Sequence, residues 1–160
     1  MNRQNAHLIW PRLWLGNKDA ALDGRFLAEN NISVVFNCTK DLPFINGPIT
    51  KYRVPVDDNL KAVEIQNLLN WSPEIVYKVL KEYNKGKTIL IHCYAGMQRS
   101  AAVMAMTLIT ITSKSSDSVI DFIRKKRSVA FFPQANFGRS VVGYEEWLKN
   151  EIAKQRRRGQ

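Results

Sequence analysis

The chain has 160 residues, 45% of them hydrophobic, with lysine and arginine outnumbering acids 24 to 14 for a formal charge of +10. That is enough chain for one domain with a proper core, without metal or disulfide staples. Two cysteines, Cys38 and Cys93, exclude a disulfide framework, no cysteine and histidine group has zinc spacing, and no apolar run is long enough to span a bilayer. With no apolar signal region at the start, these features point to an intracellular protein without a membrane span, cytoplasmic or also nuclear, whose basic tail is a candidate nuclear-import or polyanion-docking element.

The first stretch, Leu8 to Gly16, reads as a short strand pair interrupted by Pro11, which suits a sheet edge. Asn17 to Asn30 carries Ala20, Ala21, Leu22, Phe26 and Leu27, enough for one or two short helical pieces broken near Gly24. Ile32 to Phe36 is a β-branched buried strand ending at Asn37, followed by a loop from Cys38 to Pro48. A further strand, Tyr52 to Val56, runs into Asp57-Asp58-Asn59. Leu60 to Asn70 predicts a weakly helical connection, and Ser72-Pro73-Glu74 a helix start, cap and proline in their preferred places. Ile75, Val76, Val79, Leu80 and Tyr83 face that helix inward until Gly86.

The stretch from Thr88 to Ile111 organises the rest. An apolar strand ends at His92-Cys93, a turn containing Gly96 follows, and after Arg99-Ser100 comes a longer run of helix formers. Backbone N–H groups of such a turn point into one concavity, and the helix adds its unpaired donors and positive dipole end. The site suits an anion, and a thiol held there has its thiolate stabilised by the same field. Beyond it, Ser115 or Ser116 caps a helix with Val119, Ile120, Phe122 and Ile123 inward and Arg124 to Arg127 outward. Val129 to Pro133 reads as extended, and a last helix runs from about Gln134 to Ala153 through Phe137, Val141, Tyr144, Trp147 and Leu148. Residues 1–153 form one domain in this reading, with 154–160 a basic, disordered tail. Strands alternating with helices predict an α/β fold: a central, mostly parallel twisted sheet of about five strands, helices on both faces, and the active loop at a strand's carboxyl end. Trp10, Trp14, Trp71 and Trp147 are scattered and read as packing residues, which speaks against a base-stacking platform for nucleic acid.

His92-Cys93-Tyr94-Ala95-Gly96-Met97-Gln98-Arg99-Ser100 resembles the HCxxGxxR[ST] signature of the cysteine-based protein tyrosine phosphatase superfamily. Ile9 to Gly16 is similar to the IxPxLYLG opening of its dual-specificity protein phosphatases, Ile32 to Thr39 to their I…NxT strand, and Tyr52 to Asn59 to their acid loop. Pro133, Phe137, Tyr144 and Glu145 keep the spacing of the closing helix, so the likeness covers about Leu8 to Leu148. Three departures stand out: Gln98 replaces a small or short polar residue, Gln134 an asparagine, and an insertion lies around Leu60 to Pro73.

The resemblance implies a metal-free and cofactor-free hydrolysis of phosphotyrosine, phosphoserine and phosphothreonine in phosphoprotein partners, through a phosphocysteine. Cys93 would be the nucleophile and Arg99 a bidentate grip on phosphate, with the amides from Tyr94, Ala95, Gly96, Met97, Gln98 and Arg99 holding the other oxygens. His92 would orient the loop, and Ser100 would assist departure of the thiolate or simply cap the helix. Asp58 is the implied general acid, with Asp57 its alternative, because one residue of register decides which faces the pocket. Superfamily members also act on RNA 5′-triphosphates or phosphoinositides, and a phosphate-reading module without turnover is a third reading. Against these, the loop lacks the pattern of the RNA enzymes, has no lysine from Tyr94 to Gln98, and keeps every residue that a dead relative tends to lose. Cys38 would pair with oxidised Cys93, or only fill core volume. The oligomeric state is left open.

Overall fold

The computed structural model describes residues 4–159. It builds the expected five-stranded sheet: β1 (Ala6–Trp10), β2 (Leu13–Gly16), β3 (Ile32–Asn37), β4 (Thr50–Arg53) and β5 (Thr88–His92), in the order β1-β2-β5-β3-β4. Only the β1–β2 pair is antiparallel. Pro11 and Arg12 make its turn, Arg12 taking a φ of 66°, and the Arg12 guanidinium donates to Tyr83 O and Lys87 O. So β1 is an edge, as Pro11 suggests, but β2 is interior and pairs with β5.

Side-chain alternation divides the core in two. Val34, Phe36, Ile89 and Ile91 point into the main core, and Val35 and Leu90 into a smaller one, where Ala20, Ala21 and Leu27 of helices α1 (Lys18–Ala21) and α2 (Gly24–Glu29) pack. On the main face lie α3 (Ala62–Asn84), α4 (Arg99–Thr112), α5 (Ser116–Lys126) and α6 (Gly138–Arg158). From Ser100 to Ile109 every residue of α4 is buried, as expected of a helix apolar all round. Of the four tryptophans, Trp10 meets Phe122 edge-on and Trp14 meets Phe26, while Trp147, though against Tyr144, and Trp71 are exposed and not the packing residues expected.

The structure corrects several expectations. Ser72 caps nothing: α3 is one 23-residue helix that absorbs the inserted segment, with Pro73 inside it. Pro73 cannot donate to the Leu69 carbonyl four residues back. The Ser72 hydroxyl donates to that carbonyl instead, at 2.7 Å, which satisfies the group the proline leaves unpaired. Strand β4 stops at Arg53 because Pro55 removes a ladder donor, although Val54 and Val56 still point inward. Ser115, not Ser116, caps α5, and Glu145 accepts from the Ser116 N–H and hydroxyl. Residues 128–131 form a turn instead of an extended run. Helix α6 starts at Gly138 and continues through Lys154 to Arg158, so those basic residues are its last turns and not a disordered tail, a favourable place for cations at a helix C-terminus. Residues 1–3 of the expected domain and Gln160 of the expected tail lie outside the described residues.

Candidate active site

The parallel register ends in one row. Gly16 pairs with His92, His92 with Asn37, and Asn37 with Arg53. The chain leaving each of these strands therefore emerges at the same end of the sheet: Asn17, Cys93, Cys38, and the segment leading to Asp57 and Asp58.

After Cys93 the chain makes a loop whose every carbonyl is engaged. His92 Nδ1–H donates to Cys93 O, the Lys18 N–H to Tyr94 O, the Arg127 guanidinium to Ala95 O and Gly96 O, the Phe131 N–H to Met97 O, and the Ala102 N–H to Gln98 O. The donors to Tyr94, Ala95, Gly96 and Met97 come from other parts of the chain. A trans peptide plane points its C=O and the following N–H opposite ways, so carbonyls drawn outward aim the loop amides inward. Gly96 has φ +67°, and a Cβ there would lie 2.5 Å from the Gly16 backbone and 2.8 Å from Arg127. Glycine is therefore required at 96 by the backbone of β2, while a Cβ at Gly16 would meet a different set, Asn5 O at 2.9 Å, Ala6 and Leu90.

Cys93 is 2% exposed and its Sγ lies 3.1 Å from Ser100 Oγ. Burial pushes the thiol up, but the Ser100 hydroxyl and N–H, the Arg99 charge and the Gly96 N–H outweigh it, and the thiol ends below its ordinary value. Ser100 is not the cap: Gln98 occupies that position, and the Ser100 hydroxyl serves the sulfur. Arg99 donates through NH1 to Val56 O, and its buried Nε has no protein partner among the described residues. His92 is 1% exposed and burial lowers its pKa to about 4, so at neutral pH the ring is uncharged and acts on the backbone.

Cys93, Tyr94, Ala95, Met97, Gln98, Arg99, Asp58, Phe132 and Asn136 line a cavity of about 290 Å³. Asp58 and Asp57 part company here. Asp58 lines the cavity and its Oδ1 accepts from Asn136 Nδ2 at 2.9 Å. Asp57 pairs with Lys40 at 3.1 Å, while its N–H donates to Glu64 Oε2.

Two residues went unread in the sequence, and a third was read only as a departure from the family pattern and for its backbone amide. Arg127, expected outward with its basic neighbours, is 2% exposed and lies beneath the loop. Its signal was available: Val119, Ile123 and Arg127 recur every four residues, the first two on the inward face of α5 and Arg127 at its C-cap, where its N–H still bonds to Ile123 O. Gln98 does more than alter the rim. Buried, it donates to Phe132 O and Gln134 O and accepts from the Asn136 N–H. Asn136 lies just before Phe137, in no part of the motif, and nothing local marks it.

The family profile "Dual specificity phosphatase, catalytic domain" matches residues 13–147. Human dual specificity protein phosphatase 8 is 28% identical over 143 residues, 88% of this chain and 22% of that protein. Human dual specificity protein phosphatase 16 is 29% identical over 147 residues, 89% of this chain and 21% of that protein. The chain thus spans about a fifth of the length of either relative. The crystal structure of a single-residue variant of human DUSP28 superposes with a TM-score of 0.83 at 26% identity, covering 92% of this chain and 99% of that one. With the profile match running from β2 into α6 around this loop, the chain belongs to the dual specificity phosphatase catalytic-domain family.

Proposed function

We propose that the chain hydrolyses phosphate monoesters of proteins, on tyrosine and on serine or threonine, through a phosphocysteine. The observation that carries this reading is the Cys93 thiol, lining the cavity at 3.1 Å from Ser100 Oγ and drawn below its ordinary pKa, in spite of burial, by Ser100, Arg99 and the Gly96 N–H. The thiolate attacks phosphorus, the S–P bond forms as the P–O bond to the leaving group breaks, and Asp58 delivers its proton to the departing oxygen. Asp58, now a carboxylate, takes a proton from water as that water attacks phosphorus. The S–P bond breaks, Ser100 donates a hydrogen bond to the leaving thiolate, and phosphate departs. Arg99 and the loop amides carry the oxygens' charge in both steps. No step needs a metal.

The rim supports this substrate class. Tyr94 and Phe132 line the cavity with rings more than half exposed, an apolar entrance for a phosphotyrosine ring. Cys93 lines the same cavity of about 290 Å³ as the exposed Tyr94 and Phe132, an arrangement that supports access for the shorter phosphoserine and phosphothreonine as well. Arg99 is the only cation among the described lining residues, which favours a single phosphate over the clustered charge of an inositide headgroup or an RNA triphosphate. A thiolate nucleophile and two free cysteines fit a reducing compartment, cytoplasm or nucleus.

Release of p-nitrophenol from its phosphate ester by wild type and not by Cys93→Ser tests the enzymatic reading. No Cys93-dependent release would make the chain a binding module. Asp58→Asn and Asp57→Asn, compared on phosphotyrosyl and phosphothreonyl peptides, test the acid: a loss confined to Asp57→Asn would overturn the assignment. Substrate trapping with Cys93→Ser separates phosphoproteins from the other two substrate classes.

A further inference from the structure

The acid loop is exposed and has no regular structure of its own. Residues 57–61 leave the sheet beyond Val56, and Leu60 takes a φ of 63°. It is held from two sides, on one of them also by the Asp57 ion pair with Lys40. On one side the Asp57 N–H bonds to Glu64, 5% exposed, whose carboxylate also pairs with Lys40 at 2.7 Å. On the other side stands Asn136, and it is anchored to the nucleophile's own loop. The Gln98 amide spends both kinds of hydrogen-bonding group on one segment, its NH2 on Phe132 O and Gln134 O and its oxygen on the Asn136 N–H. The Phe131 N–H returns to Met97 O at 2.7 Å. Residues 131–136 are thereby fixed to Met97 and Gln98, next to Arg99.

We infer that Asn136 is a positioning residue for the proton of Asp58, and that Gln98 sets Asn136 by tying its segment to the cysteine loop. The inference rests on the proposed acid role of Asp58. A carboxyl group has two oxygens, and a proton on the wrong one points away from the leaving group. Asn136 Nδ2 can only donate, so the oxygen it bonds, Oδ1, is an acceptor, and the proton is left to Oδ2. After the first step the same bond keeps the carboxylate in place to receive a proton from water. The bond is exposed, so it contributes little to stability; what it supplies is geometry, to which proton transfer is sensitive. Gln98 explains why this works from an open loop: the donor is referenced to the frame that holds the thiolate.

The full chain is assayed on phenyl phosphate, whose leaving group needs a proton, and on 2,4-dinitrophenyl phosphate, whose leaving group departs without one. Asn136→Ala is expected to lower kcat/KM about tenfold on phenyl phosphate and less than about twofold on the dinitrophenyl ester, general acid catalysis being worth about a hundredfold or more in full. Asn136→Asp, similar in shape but unable to donate as a carboxylate, should be worse than Asn136→Ala on phenyl phosphate alone. The double variant Asp58→Asn/Asn136→Ala should be no slower than Asp58→Asn. Iodoacetamide should alkylate Cys93 at the wild-type rate in Asn136→Ala. Equal losses on the two esters, no loss on either, or slowed alkylation, with Asp58→Asn still selective for the poor leaving group, would overturn the inference and leave the acid assignment standing. If Asp58→Asn itself showed no leaving-group selectivity, the acid assignment would fall and this inference with it.

Discussion

Cys38 and Cys93 follow neighbouring parallel strands, and the Cys38 N–H donates to His92 O at 2.8 Å. Both are buried, 0% and 2% exposed. Burial holds the Cys38 thiol well above its ordinary value, the charge of Cys93 adds to that, and Arg99 opposes it. The Cys93 thiol, with burial pushing it the same way, ends on the other side of that value. Depth therefore does not separate the two. After Cys38 the chain enters a loop tied partly to itself, the Thr39 hydroxyl donating to Asn37 Oδ1 and Asn37 Nδ2 to Leu42 O, and partly to β4, whose Arg53 guanidinium donates to Thr39 O and Leu42 O. After Cys93 the loop's carbonyls are drawn outward by Lys18, Arg127 and Phe131, so its amides face the sulfur. Each loop has a guanidinium on two of its carbonyls, and what separates the two thiols is that backbone N–H groups reach the sulfur of Cys93 and not that of Cys38.

The change that most completely turns Cys93 into a second Cys38 is Gly96→Val. A Cβ at 2.5 Å from the Gly16 backbone, on a residue with φ +67°, cannot be accommodated without moving the loop. Loss of the amide cradle should cost more than about a thousandfold in kcat/KM on p-nitrophenyl phosphate, since a single oxyanion donor is worth about a hundredfold or more. Iodoacetamide should then label neither cysteine in the folded protein.

Ser100→Ala removes one stabilising partner and leaves the cradle. The bond from Oγ to Sγ favours the thiolate, so the alkylation inflection, below 9.0 in wild type, should move up in the variant. A hydrogen bond to a charged group corresponds to at least about tenfold in turnover. The same shift has a counterpart in stability. A thiol whose folded pKa is depressed contributes stability in full above its unfolded value near 9.0, and loses it as pH falls through the folded value. Alkylation should fade in that same window, and Cys38 should stay unlabelled throughout.

How much of this was legible differs between the two strand ends. The strand, the turn at Gly96 and the helix could be read from an apolar period and a glycine, because local sequence determines them. Cys93, Arg99 and Ser100 came with the family signature. What escaped was what reaches the loop from elsewhere. Arg127 looked like part of a charge run, and only its register with Ile123 and Val119 betrayed it. Gln98 and Asn136 act across 34 to 38 residues of sequence, a distance at which no period speaks. What places Asp57 and Asp58 differently is Lys40 and Glu64 on the one and Asn136 on the other, partners with no spacing rule. Ser72-Pro73 misled because cap and proline have the same signature at a helix start as inside α3, where the serine hydroxyl repairs the proline's missing bond.

Arg127→Lys sharpens the comparison from outside the loop. The guanidinium bridges Ala95 O and Gly96 O while also donating to His7 Nδ1 and Gln4 O. Lysine keeps a charge but not the planar fork. Two loop carbonyls would be held less well, so tungstate affinity and kcat/KM should both fall by about three- to tenfold, the range of a hydrogen bond or so.

The smallest effect belongs to Cys38 itself. Cys38→Ala empties a small volume in a fully buried site and should cost about 1 kcal/mol in urea unfolding, with kcat/KM within about twofold of wild type. Its raised thiol carries a second consequence. A sulfenic acid on Cys93 is captured quickly only by a thiolate, and Cys38 is held in the thiol form. Peroxide treatment followed by mapping under non-reducing conditions should therefore find Cys93 oxidised and Cys38 free. A Cys38–Cys93 disulfide in its place would mean that burial alone does not keep Cys38 protonated, and that losing the Cys93 thiolate's charge on oxidation is enough to let it ionise.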